Sequence, residues 1–151
     1  MPITADEAGA VLAHWQPILR LADWDIDLRL VETPWRKTGD VKVDLDDRKA
    51  VLLLRAGQPA EHLEEVVVHE LVHVRLYAMD QMLAQLLDAV FGSEASDPKR
   101  AFAETQFMQL LEQTTEDLAK ALLAASGRAG SLTFDRLERE VEREIGPGTR
   151  G

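Results

Sequence analysis

The chain reads as a single α+β domain, and three observations predict it. Its apolar residues switch from a helical period to a strand period and back again. Its 151 residues, 46% of them hydrophobic, suffice for one core and fall short of two ordinary domains. Its longest apolar run stops well below the length that crosses a bilayer. The predicted order is an N-terminal helix, a small three-stranded twisted sheet, a second helix, a long third helix and a short C-terminal helix. All belong to one domain over residues 1–145, with a disordered tail at 146–151.

Thr4 followed by Glu7 has the spacing of a capping box, and Ala8, Val11, Leu12, Trp15, Ile18 and Leu19 recur at helical intervals. This predicts an amphipathic helix over residues 4–21, which Pro17 would kink or end early. From Trp24 the period becomes two: Trp24, Ile26, Leu28 and Leu30 alternate with Asp25, Asp27 and Arg29. Val41, Val43 and Leu45 alternate with Lys42 and Asp44 in the same way. Residues Ala50 to Leu54 are continuously apolar, as in a strand covered on both faces. The short polar run Asp46-Asp47-Arg48-Lys49 makes the last two strands an antiparallel pair.

Gln58-Pro59-Ala60-Glu61 opens a second helix that continues to about Tyr77 or beyond. Asp97 and Pro98 provide a cap and a first-turn proline for a third, which runs to about Ala125. Gly92 to Ser96 separates the two. After a break at Ser126 to Ser131, Phe134, Leu137, Val141 and Ile145 form a narrow stripe on a strongly charged short helix.

The absence of cysteine excludes disulfides, thiolate metal sites and thiol nucleophiles, so histidine and carboxylate are the only strong ligands for a transition metal. A formal charge of −10 opposes non-specific binding to a phosphate backbone, and nucleic acid is not an expected partner. The N-terminal residues lack a basic region followed by an apolar run, which predicts a soluble cytoplasmic protein with no membrane partner.

Within the second helix stands His69-Glu70-Leu71-Val72-His73. Residues four apart share a helix face, so both imidazoles can meet one cation while Glu70 reaches a water beside it. Val66, Val67 and Val68 precede the motif, Leu71 and Val72 lie inside it and Val74 follows, which marks a buried helix. Leaving two imidazoles and a carboxyl unpartnered there would cost about 1–3 kcal/mol each. A metal ion removes that cost. The plainer alternative places both histidines on a solvent face, but Arg75 projects elsewhere on the helix.

A catalytic zinc site needs a third protein ligand. No third histidine follows at a suitable spacing, and His62 lies about 10 Å back along the helix axis. On the third helix, which offers Glu104, Glu112, Glu116 and Asp117, the stripe Phe107, Leu111, Leu118 and Leu122 faces inward, and Glu104 projects within about 60° of all four at about 100° per residue, whereas Glu112 and Glu116 point well away. Glu104 is the expected third ligand. Asp80 is the reserve, provided the second helix ends soon after His73. Tyr77, the only tyrosine, is a candidate transition-state stabiliser, against the simpler role of packing.

With these residues the chain resembles the small zincin-like metallopeptidases of the glutamate-ligand (gluzincin-like) type. It resembles compact metallopeptidases among phage and prophage proteins, and more distantly ImmA-type and SprT-type proteases. The resemblance covers about residues 20–125: Leu21 to Ile26 opening a strand, Ala50 to Leu54 before the active helix, and Leu63 to His73. Arg75 departs from the hydrophobic residue usual after the motif. The likeness implies a zincin-like minimal domain with Zn²⁺ held by His69, His73 and a carboxylate, Glu70 as general base, and a peptide or protein as substrate. It also implies that an extended peptide pairs with the strand at 50–54. Two other classes stay open: a non-proteolytic metal-binding module, and an assembly protein that uses the acidic C-terminal helix.

Overall fold

A computed structural model describes residues 1–128 and 141–146. In chain order it contains α1 (Ala5–Ile18), β1 (Asp25–Val31), β2 (Gly39–Asp44), β3 (Lys49–Arg55), α2 (Leu63–Phe91) and α3 (Pro98–Ala125). Residues 141–145 are also helical; the rest of the predicted C-terminal helix and residues 147–151 of the tail lie outside the described residues. The architecture is α+β. Among the described residues no helix is long and apolar enough to cross a membrane.

The capping box at Thr4 forms: the Glu7 N–H donates to the Thr4 hydroxyl at 3.2 Å, and the Thr4 N–H donates to the Glu7 carboxylate at 2.9 Å. α1 ends at Ile18 rather than residue 21, with Pro17 in its last turn. Bonds from Arg20 N–H to Pro17 O and from Leu21 N–H to Gln16 O, both 2.9 Å, close it.

β3 is the central strand, in the order β1-β3-β2. It pairs in parallel with β1 and antiparallel with β2. Ala50, Leu52 and Leu54 are buried, whereas Val51 and Leu53 on the opposite face are half-buried. The continuously apolar run is therefore not covered equally on both faces. Val51 lies between Asp27 and Lys42, and Leu53 between Arg29 and Asp40, so charged neighbours cover part of that face with their stems.

The covered face carries α1 and α2, with α3 packed on α2. Trp15, Leu21, Leu52, Leu54, Val67, Val68, Leu71 and Ala119 form the centre of the core. The buried Trp15 indole donates to the Glu64 carboxylate at 2.7 Å, tying α1 to the first turn of α2. Gln58, in the segment between β3 and α2, is buried and donates to Thr38 O at 3.0 Å, which fixes the backbone just before β2.

Replacing Trp15 with Phe would keep most of the apolar burial but remove a bond to a charged acceptor. Urea denaturation should show a loss of about 1.5–3 kcal/mol, the range for such bonds; an unchanged midpoint would mean the indole bond adds nothing.

Candidate metal centre

α2 has two faces with different tasks. Val67, Val68, Leu71 and Val74 turn into the core, and His69, Glu70 and His73 line a cleft of about 910 Å³. The cleft is bounded by residues 36–41 on the β2 side and by α3 on the other. This division follows from the helical repeat, because His69 and His73 lie four residues apart on one face.

The two imidazoles approach with their Nε2 atoms 3.2 Å apart. Glu112 of α3 completes the group: its carboxylate oxygens lie 3.0 Å from His73 Nε2 and 3.5 Å from His69 Nε2. Among the described residues these three alone bring one ligand atom each within 4.8 Å of one another. Tetrahedral zinc with bonds of about 2.0–2.1 Å separates its donors by about 3.3 Å, so two nitrogens 3.2 Å apart, each with an oxygen of one carboxylate at 3.0 or 3.5 Å, fit such an ion.

The other side of His69 is also engaged. Its Nδ1 lies 2.8 Å from the Glu116 carboxylate, an arrangement that keeps a proton on Nδ1 and leaves Nε2 free as a ligand. Glu116 in turn pairs with Lys120 at 3.2 Å. The hydrogen bond from His69 holds the Glu116 carboxyl down at about 2, against the cost of burial. Burial pulls the His69 pKa down, but Glu116, with the charges of Glu70 and Glu112, outweighs it and leaves the value raised. His73 is lowered, chiefly by burial, with Glu112 acting against the shift. Low affinity for a proton at His73 favours a free lone pair for a metal.

Glu70 is only 7% exposed. Burial pushes its carboxyl up to about 7, and the nearby His69 charge only partly offsets this. Its side chain lies against β2 at Gly39. A Cβ at residue 39 would stand 2.7 Å from Val66 Cγ1 and 3.2 Å from both Cγ and Oε1 of Glu70. Glycine there lets the strand approach the helix.

The expected third ligand, Glu104, is not in this group. It lines the far end of the cleft and bonds to Arg100 at 2.6 Å, an arginine also held by Asp88. Two features of the helix pair keep Glu104 out of the group. The inward seam of α3 runs through Thr115, Ala119 and Leu123, all buried, whereas Leu118 is 42% exposed. The inward face is therefore turned away from Leu118 and Glu104 and toward Glu112. The second feature is register: α2 and α3 form an antiparallel hairpin in which His69 meets Glu116 and His73 meets Glu112. Equal steps toward the turn place Glu104 level with Gln81, about 12 Å from His73 along the axis.

Asp80 lines the cleft but is no substitute, because α2 continues unbroken to Phe91 and carries it about 10 Å past His73. Its carboxyl is raised by burial and by the charge of Glu112. Tyr77 is half-buried in the cleft wall. His62 precedes α2 in a short 3-10 turn and lies 3.6 Å from Glu61, outside the group. The strand at 50–54 is paired on both sides, so among the described residues the free edge beside α2 belongs to β2. Glu112 and Glu116, which the apolar stripe turned away from the core, repeat the four-residue spacing of the histidines, the one local signal that matches them to His73 and His69.

The Glu70 shift has a sign that can be tested on metal-free protein. A carboxyl raised from 4.5 to about 7 binds its proton more tightly in the folded chain than in the unfolded one. As pH rises from about 4.5 to 7, the unfolded state ionises first and folding stability falls, by about 3 kcal/mol in all. Denaturation of Glu70→Gln across this range should lack that slope; an identical slope would assign the pH dependence to other groups.

Scans of family models, curated proteins and solved structures each find no match to this chain, and the reading of the site rests on its own residues.

Proposed function

We propose that the chain is a zinc-dependent peptidase with a zincin-like core, in which His69, His73 and Glu112 would hold the metal. One observation carries the reading: two imidazole nitrogens and a carboxylate oxygen converge beside Glu70, a buried carboxyl for which burial and charge, rather than a hydrogen bond, set the pKa. A purely structural site has no need for such a group. A zinc ion held there would supply a Lewis acid for a peptide carbonyl and lower the pKa of a coordinated water.

The remaining work falls to the chain's own side chains. Glu70, with a pKa pushed up to about 7, would accept a proton at its carboxylate and return it to the leaving amine near neutral pH. Glu116 would hold the His69 ring in one orientation through Nδ1. Tyr77, in the wall of the cleft, is the candidate donor to the oxygen on which charge develops. The free edge of β2 supports binding of an extended peptide by strand addition, with Gly39 allowing the backbone to pass close to Glu70.

Metal analysis of purified variants tests the ligand set. Wild type should carry about one zinc per chain, and His73→Ala and Glu112→Ala should lose most of it, while Glu104→Ala keeps it. Glu116→Gln should weaken zinc affinity about 10–100-fold, as expected for a group that orients a ligand. Zinc lost in Glu104→Ala and kept in Glu112→Ala would reject the assignment.

Activity is tested separately with a quenched fluorescent peptide library. Glu70→Gln should retain zinc while hydrolysis falls about 10²–10⁴-fold, the usual contribution of a general base. Zinc-loaded wild type that cleaves no peptide would leave the metal site standing and overturn the peptidase.

A further inference from the structure

Arginine stands at two backbone positions that favour glycine. Arg20 follows α1 with φ 58°, and the bonds from Arg20 N–H and Leu21 N–H close the helix through that left-handed residue. Arg48 ends the turn between β2 and β3 with φ 51°. These are the only non-glycine residues with positive φ among the described residues. A side chain at such a position costs stability that glycine would not.

Both arginines line one cleft of about 490 Å³, and a third, Arg75, enters it from α2. Asp23, Trp24 and Leu45 complete the lining, and no residue is shared with the metal cleft. Arg75 leaves α2 about 160° around the helix from His73. Asp23 pairs with Arg48, whereas Arg20 and Arg75 have no acidic partner within ion-pair distance among the described residues. In a chain with a formal charge of −10, this cleft carries a local excess of about two positive charges.

We propose that this cleft binds a phosphate group, as a second ligand site separate from the metal centre. Guanidinium groups present forked donors that match phosphate oxygens, and a phosphate dianion of about −1.5 to −2 balances the local excess, where a single carboxylate would not. The cleft is larger than phosphate alone. Trp24 and Leu45 leave a small apolar patch beside the arginines, which gives room for the organic part of a phosphorylated small molecule.

The test is a titration of the full chain with inorganic phosphate, O-phosphoserine and acetate, read by the indole N–H resonance of Trp24, which Trp24→Phe assigns. The same titration in His73→Ala separates this cleft from anion binding at a metal. Saturable shifts with both phosphates and little with acetate are expected, at least tenfold weaker in Arg75→Gln and in Arg20→Gly. Tighter binding of phosphoserine would identify a phosphorylated organic ligand, and equal binding would identify free phosphate. Arg20→Gly should also melt a few degrees higher than wild type, because the position favours glycine. Acetate shifts as large as those of phosphate, no saturable shift at all, or arginine variants that titrate like wild type would overturn the proposal. A lower melting point for Arg20→Gly would do the same, since the arginine would then be serving the fold.

Discussion

The antiparallel contact between α2 and α3 sets the level at which His73 meets Glu112 and His69 meets Glu116, and the candidate centre depends on that register. A shift of one helical turn would move a carboxylate about 5.4 Å along the axis and separate the donors. The register is held by packing at Thr115, Ala119 and Leu123, small or apolar residues that bring the helices close. The Arg100 cluster with Asp88 and Glu104 reinforces it near the hairpin turn. Glu104 thus pairs with the arginine that links the two helices and stands apart from the metal group.

α2 links the core to the cleft. Its valines and leucines complete the hydrophobic interior while the opposite face gathers ionisable groups at little exposure. The arrangement pushes neighbouring groups in opposite directions: Glu70 up to about 7 by burial, Glu116 down to about 2 by its bond from His69. Such separation is what a site needs if one carboxylate is to move a proton and another to remain an anion. Glu65, raised by burial and by the neighbouring Glu116 carboxylate, extends the network toward the start of α2.

The sheet contributes position more than chemistry. β3 is enclosed by its two neighbours, and among the described residues β2, the strand in closest contact with the histidine helix, is left with a free edge. Gln58 anchors the residues ahead of β2, and Gly39 removes the side chain that would otherwise strike Val66 and Glu70. On the far side of α2 the three arginines occupy a separate surface, so one helix supplies residues to two clefts of different character.

The sequence by itself determined what depends on near neighbours. The capping box at Thr4, the period-two strands, the turn before β3, the limits of α3 and the shared face of His69 and His73 all follow from spacings of a few residues. Helix and strand geometry converts those spacings directly into directions. The tertiary structure decided what depends on distant partners. Glu112 rather than Glu104 joins the histidines because helix register and a seam of small residues, not the largest apolar side chains, set which face of α3 meets α2. β2 rather than β3 has the free edge because the parallel pairing of β1 with β3 is a long-range choice that no local pattern encodes.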